Sequence, residues 1–223
     1  MKCIHLVTAM GLAMFAASPA WALPESAEMH VSGAVTAASS CSLSISNGGA
    51  IDLGQIDIGS LNQSSSTNVG AFARTVSVTC DSPTRFALGV IDNRADTLNT
   101  ARLSCGHCMA MGWTTSQRPI GFYGLAFYDD AIVDGVSRTL LLSNDLATWE
   151  VNFGLFLTPQ AKVPSSNGRH FVAAAEPSTT LVIAATTMSI QFYADVFLES
   201  RETMAITQQT PIDGNSTLEI IYL

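Results

Sequence analysis

Residues 214–223, reading GNSTLEIIYL, decide how the rest of the chain is read. From Leu218 onward, Leu218, Ile220 and Tyr222 fall on one face, and Glu219, Ile221 and Leu223 fall on the other. Alternation with period two, carried by β-branched and aromatic side chains, predicts a β-strand. The end of a chain frays unless something ties it down. A strand this apolar at that position is therefore expected to be paired.

Working outward, the composition suits an all-β exported protein. The 223 residues suffice for one sizeable domain with its own core. Only 13% are charged and the net charge is −8. An acidic chain without a basic run is a poor partner for nucleic acid or for anionic membranes, so neither is expected.

Residues 1–22 read as a secretory signal peptide. Lys2 supplies the positive start, residues 4–17 form an apolar run, and Ala20-Trp21-Ala22 has the small-x-small form that a signal peptidase cuts after. The mature chain is then expected to be exported, with residues 23–40 as an N-terminal extension and hinge and residues 41–223 as the folded domain.

Four cysteines follow the signal peptide: Cys41, Cys80, Cys105 and Cys108. An even number in an exported chain reads as two disulfides, with three pairings allowed by the sequence. A Cys41–Cys80 bond would close a long loop and stabilise by about 3–4 kcal/mol on the chain-entropy account. A Cys105–Cys108 bond would close a tiny loop and constrain little.

Taken in order, residues 28–36 (EMHVSGAVT) alternate, with Met29, Val31, Gly33 and Val35 on one face. Residues 41–46 alternate again, and Asn47-Gly48-Gly49 signals a turn. Residues 50–58 with Leu61 read as short extended pieces. Strands are predicted at 72–80 and 85–92, separated by a turn at Asp81-Ser82-Pro83. Residues 93–118 carry no clear period and read as a long loop. Further strands are predicted at 120–128, 140–142, 149–157, 169–175, 181–185 and 188–198, before the final one. No helix of normal length shows amphipathic period. Short strands with turns between them indicate a β-sandwich.

Taken together, the alternating residues 28–36, the Cys41/Cys80 pair and the final strand with Tyr222 next to last resemble the chaperone–usher pilin subunits of Gram-negative fimbriae. NGGAIDLGQI (47–56), CDSPTRFALGVIDNRA (80–95) and DGNSTLEIIYL (213–223) look like a beta-fimbriae-like branch of that group, whose function is poorly defined. The resemblance implies an incomplete immunoglobulin-like sandwich that lacks its last strand. In that family a periplasmic chaperone lends a strand beside the subunit's final one, here Leu218, Ile220, Tyr222 and Leu223. The N-terminal extension of the next subunit, here residues 28–36, later replaces the chaperone by β-augmentation. Burial of Met29, Val31 and Val35 would contribute roughly 5–9 kcal/mol, and Gly33 would allow close backbone approach at one position. The resemblance also implies that basic residues of the chaperone hold the carboxylate at Leu223. Tyr222 reads as a core aromatic, a chaperone contact, or both. One departure from the pilin pattern is Thr210, which stands where a Gly is common; Gly214 is the nearest.

The expectation is thus a non-enzymatic structural subunit of a fimbria with a role in adhesion, without cofactor or metal. Its partners would be a periplasmic chaperone, an outer-membrane usher, other pilus subunits and a host or surface receptor, and its place the cell surface.

Two rivals come from other classes. Trp113, Tyr123, Phe127 and Trp149 would line a sugar site if the chain were a monomeric secreted carbohydrate-binding sandwich. Cys105-Gly106-His107-Cys108 has the CGHC form of thiol–disulfide oxidoreductases. That motif belongs between a strand and the start of a helix, and residues 93–118 give no such pattern. A loop disulfide or a metal-binding pair with His107 is the plainer reading. His30 and His170 read as surface or packing residues, and GxSxG, HExxH and P-loop patterns are absent from the sequence.

Overall fold

A computed structural model of the chain describes residues 40–105, 107–151, 156–157 and 171–223. These residues form an all-β fold: strands β1 (Cys41–Ile45), β2 (Thr67–Asp92), β3 (Met109–Ala110), β4 (Gly121–Phe127), β5 (Asp130–Val133), β6 (Val136–Ser143), β7 (Glu150–Val151), β8 (Phe156–Leu157), β9 (Phe171–Ala174), β10 (Ala184–Leu198) and β11 (Ser216–Tyr222). The helix among them is a single turn, α1 (Arg201–Met204), capped by the Ser200 hydroxyl accepting from the Thr203 amide.

The spine is β2, 26 residues long. The turn expected at Asp81-Ser82-Pro83 does not form; the chain stays extended and changes partners there. Before that point β2 lies between β1 and β10, with Cys41 opposite Cys80 and Leu198 opposite Thr67. Beyond it β2 lies between β11 and β9, with Tyr222 opposite Phe86 and Leu88 opposite Val172. Pro83 has no amide hydrogen for a ladder, and it falls in the gap where pairing with β10 skips from Thr79 to Thr84.

The predicted strands at 181–185 and 188–198 are one strand, β10, with an irregularity between Ala185 and Thr187. On its far side β10 pairs with β4 and β5. The β5–β6 hairpin was not anticipated, although the sequence carries its signal. Asp134 and Gly135 both have positive φ, 48° and 82°, as a two-residue type I′ turn requires. The Asp134 carboxylate also accepts from the Thr187 amide at 2.7 Å, which fastens the hairpin to β10. Residues 93–118 likewise hold more than a loop: two 3₁₀ turns, Ala95–Thr97 and Thr100–Cys105, and β3 paired with β4.

The alternation of β10 explains the core. Met188, Ile190, Phe192, Ala194, Val196 and Leu198 are all buried on one face. They join one apolar cluster with Val76 and Val78 of the first half of β2 and Leu88 and Val90 of its second half. The other face of that second half is also covered, where Ala87 packs with Leu141, Ala173 and Val182 in a smaller cluster. The run from Phe86 to Val90 is therefore buried without a break and reads as continuously apolar rather than alternating.

Candidate functional site: an apolar groove beside the final strand

Among the described residues a cavity of about 990 Å³, partly open to solvent, lies beside the final strand. Its floor is the inward face of β10 (Phe192, Ala194, Val196, Leu198) with Tyr123 and Leu125 of β4. Residues 49–58 and residues 206–212 line it as well, together with Ser216 and Leu218 of β11.

The 49–58 segment shows why the groove is unfilled. Its apolar residues Ile51, Leu53, Ile56 and Ile58 pack on the core yet remain only partly buried, and Asp52, Gln55 and Asp57 face solvent. This is strand-like patterning without a ladder. The backbone is held instead by short local devices. The Asp52 and Asp57 carboxylates accept from the Gly54 and Gly59 amides at 2.8 Å each, and the Arg74 guanidinium donates to the Ala50 carbonyl.

The edge of β11 is the second part of the site. Its ladder with β2 continues at both ends, where the Leu223 amide donates to the Arg85 carbonyl at 3.1 Å and the Asn93 amide donates to the Asn215 carbonyl at 3.0 Å. Residues opposite one another alternate between bonded and non-bonded pairs. Odd-numbered residues of β11 therefore bond to β2. The amides and carbonyls of Ser216, Leu218, Ile220 and Tyr222 point to the opposite edge, and among the described residues no strand pairs with that edge. Leu218 and Ile220 meanwhile turn their side chains onto the core as half-buried residues.

Polar contacts shape the groove's end. The Tyr123 hydroxyl bonds the Ser216 hydroxyl, which lies 3.1 Å from the Met109 sulfur. Burial pushes the Tyr123 phenol up to about 12, the Ser216 bond opposing and the Asp92 charge adding to the shift. Gly214 passes directly over this ring: a Cβ there would stand 3.1 Å from Tyr123 Cε1. Arg94 pairs with Asp213 beside it.

The two cysteine pairs are joined as Cys41–Cys80 and Cys105–Cys108. Tyr222 is not a core aromatic: the residue is 52% exposed and its hydroxyl accepts from the Cys41 amide at 2.9 Å. Leu223 is exposed as well. Met29, Val31, Gly33 and Val35 lie outside the described residues, as do His30 and His170.

The four aromatics of the sugar-site reading are not brought together. Phe127 is buried in a stack on Phe192, Tyr123 lines the groove, Trp149 packs on the smaller cluster, and Trp113 is exposed beside Pro119. Cys105 ends a 3₁₀ turn and Cys108 leads into β3, which is not the strand-then-helix setting of a thiol oxidoreductase. Burial holds the His107 imidazole below its ordinary value.

Residues 29–121 match the model of a family described as a protein of unknown function (DUF1120). The matched DUF1120 region runs from the alternating N-terminal segment through β1, β2 and β3 to the first residue of β4, and so includes residues 49–58 of the groove. None of the curated proteins matches the chain.

Proposed function

We propose that the chain is a structural subunit of a chaperone–usher fimbria that polymerises by donor-strand exchange. The observation that carries this reading is the groove: an apolar trough flanked by the unpaired edge of β11 and by a strand-patterned segment, 49–58, that has no ladder of its own. Unpaired backbone groups beside open apolar surface are costly and invite a strand from elsewhere.

On this reading the fold is an immunoglobulin-like sandwich short of one strand. The strand that completes it is residues 28–36 of a neighbouring subunit, after a periplasmic chaperone has held the site during export. Met29, Val31 and Val35 enter the trough, and the donor backbone bonds Leu218 and Ile220. Several ladder bonds at about 1 kcal/mol each add to the apolar burial, which makes the joint long-lived. The usher and related subunits are the remaining partners, the cell surface is the destination, and no catalysis is involved.

The test is periplasmic expression of the whole chain beside a variant lacking residues 23–36, each run unheated on a denaturing gel. The intact chain gives a ladder of multimers that collapses on boiling, and the variant gives none. Identical stable monomers from both would contradict the reading.

A further inference from the structure

A second cluster of chemistry-bearing side chains is independent of the groove. Sγ of Cys105, a ring nitrogen of His107 and Sγ of Cys108 all lie within 4.8 Å of one another. Cys108 is buried and the other two are half-buried, so the group is sheltered yet reachable.

The fold fixes both flanks of this cluster. Ahead of it, the Arg102 guanidinium donates to the Glu199 carboxylate at 3.2 and 3.4 Å, and Asn99 donates to the same group at 3.1 Å. Glu199 is only 3% exposed, and Arg102 also lies 4.7 Å from the centre of the Phe122 ring. Behind it, Met109 and Ala110 pair with β4, and the Ala110 amide donates to the buried Asp92 carboxylate at 2.9 Å. Between these anchors the His107 amide donates to the Cys105 carbonyl at 2.7 Å, a tight turn that keeps the three donors together.

We propose that the reduced form of this cluster binds one copper(I) ion, with the thiolates of Cys105 and Cys108 and the imidazole of His107 as ligands. A metal ion sits about 2.0–2.3 Å from nitrogen and sulfur donors, so its ligands stand at most about 4.6 Å apart. In the oxidised chain the two sulfurs are bonded and the His107 nitrogen lies within 4.8 Å of both, so reduction has to part the sulfurs while the imidazole is already within reach. Two cysteines separated by two residues are a recurrent metal-ligand spacing. Thiolate donors select soft cations, copper(I) and zinc among them. Structural zinc takes four protein ligands, whereas among the described residues the cluster offers three and Glu199 is engaged by Arg102; a three-coordinate site suits copper(I).

The present structure holds the oxidised state, in which Cys105 and Cys108 share a disulfide and the site is closed to metal. Opening it requires two electrons and two protons. A dithiol supplies them and becomes a disulfide, and the Cys105–Cys108 bond breaks to two thiols. Binding of Cu⁺ then displaces the two thiol protons and leaves a complex of net charge −1.

The test uses the full chain, treated with a graded amount of dithiothreitol and freed of it without air. Peptide mapping after alkylation must find Cys105 and Cys108 free and Cys41–Cys80 intact. This protein is titrated with copper(I) against bicinchoninate, a coloured competing chelator. The expected result is one copper per chain, none for the oxidised chain or for the Cys105→Ser/Cys108→Ser variant, and at least a tenfold weaker affinity for His107→Gln. The proposal is overturned if the two-thiol protein leaves all copper with the chelator, if zinc displaces the copper, or if His107→Gln binds as tightly as the native chain.

Discussion

The phenol of Tyr222 accepts a hydrogen bond from the backbone amide of Cys41 at 2.9 Å, joining residues 181 positions apart. The contact closes the fold at one corner. It ties the end of β11 to the start of β1, where Cys41 stands opposite Cys80 in a non-bonded pair of the ladder and is linked to it by the disulfide. At the other end of β11 the Ser216 hydroxyl bonds Tyr123, and among the described residues no strand pairs with the edge along the groove. Replacing Tyr222 with Phe removes the acceptor and leaves the ring. A loss of about 0.5–1.5 kcal/mol is expected, read as a lower denaturant midpoint with an unchanged slope.

The two disulfides differ in what they hold. With a sequence separation of 39, Cys41–Cys80 is worth about 4 kcal/mol on the chain-entropy account. With a separation of 3, Cys105–Cys108 is worth about half that on the same account. Thermal unfolding of Cys41→Ala/Cys80→Ala and Cys105→Ser/Cys108→Ser variants should therefore show the larger drop for the first. Equal drops would mean that residues 105–108 organise more of the fold than their loop length implies.

Tyr123 makes stability fall at high pH. Burial raises its folded-state value to about 12 from the ordinary 10. A raised value means that the protonated phenol is favoured by folding. Its contribution is fully present below pH 10 and is lost as pH rises from about 10 to about 12. A Tyr123→Phe variant should lack this part of the alkaline loss, which denaturant midpoints measured across that range would show.

The Arg102–Glu199 pair anchors the chain that carries Cys105. Glu199 is buried, so removing its partner leaves a carboxylate without adequate compensation. Arg102→Met should cost about 3 kcal/mol, read as a lower denaturant midpoint. A loss below about 1 kcal/mol would contradict this account.

Much of the fold is legible in the sequence, and the exceptions have physical causes. Period two marks β11, β1 and the core-facing stripe of β10 correctly, because each has one face on the core. β2 is misread at Asp81-Ser82-Pro83, since turn-forming residues there serve a change of partner within one extended strand. The β5–β6 hairpin escapes because β5 has only 4 residues and the first half of β6 is largely exposed, although Asp134-Gly135 announces the turn. The groove is partly legible: the alternation of Ile51 and Leu53 shows a face seeking cover, and Leu218 and Ile220 mark the other flank. Residues 206–212 carry no period and take their place in the groove only through the fold.

The central claim concerns which backbone groups of β11 await a partner, and amide hydrogen exchange reads them residue by residue. The samples are the assembled full chain and a full-chain variant carrying Val31→Asp and Val35→Asp, which cripples the proposed donor segment. Glu219 and Ile221, which face β2, should be protected in both. Leu218 and Ile220 should exchange slowly in the assembled chain and at least about a hundredfold faster in the variant, the equivalent of about 2.7 kcal/mol of opening free energy. Equal exchange at Leu218 and Ile220 in the two samples would contradict the account.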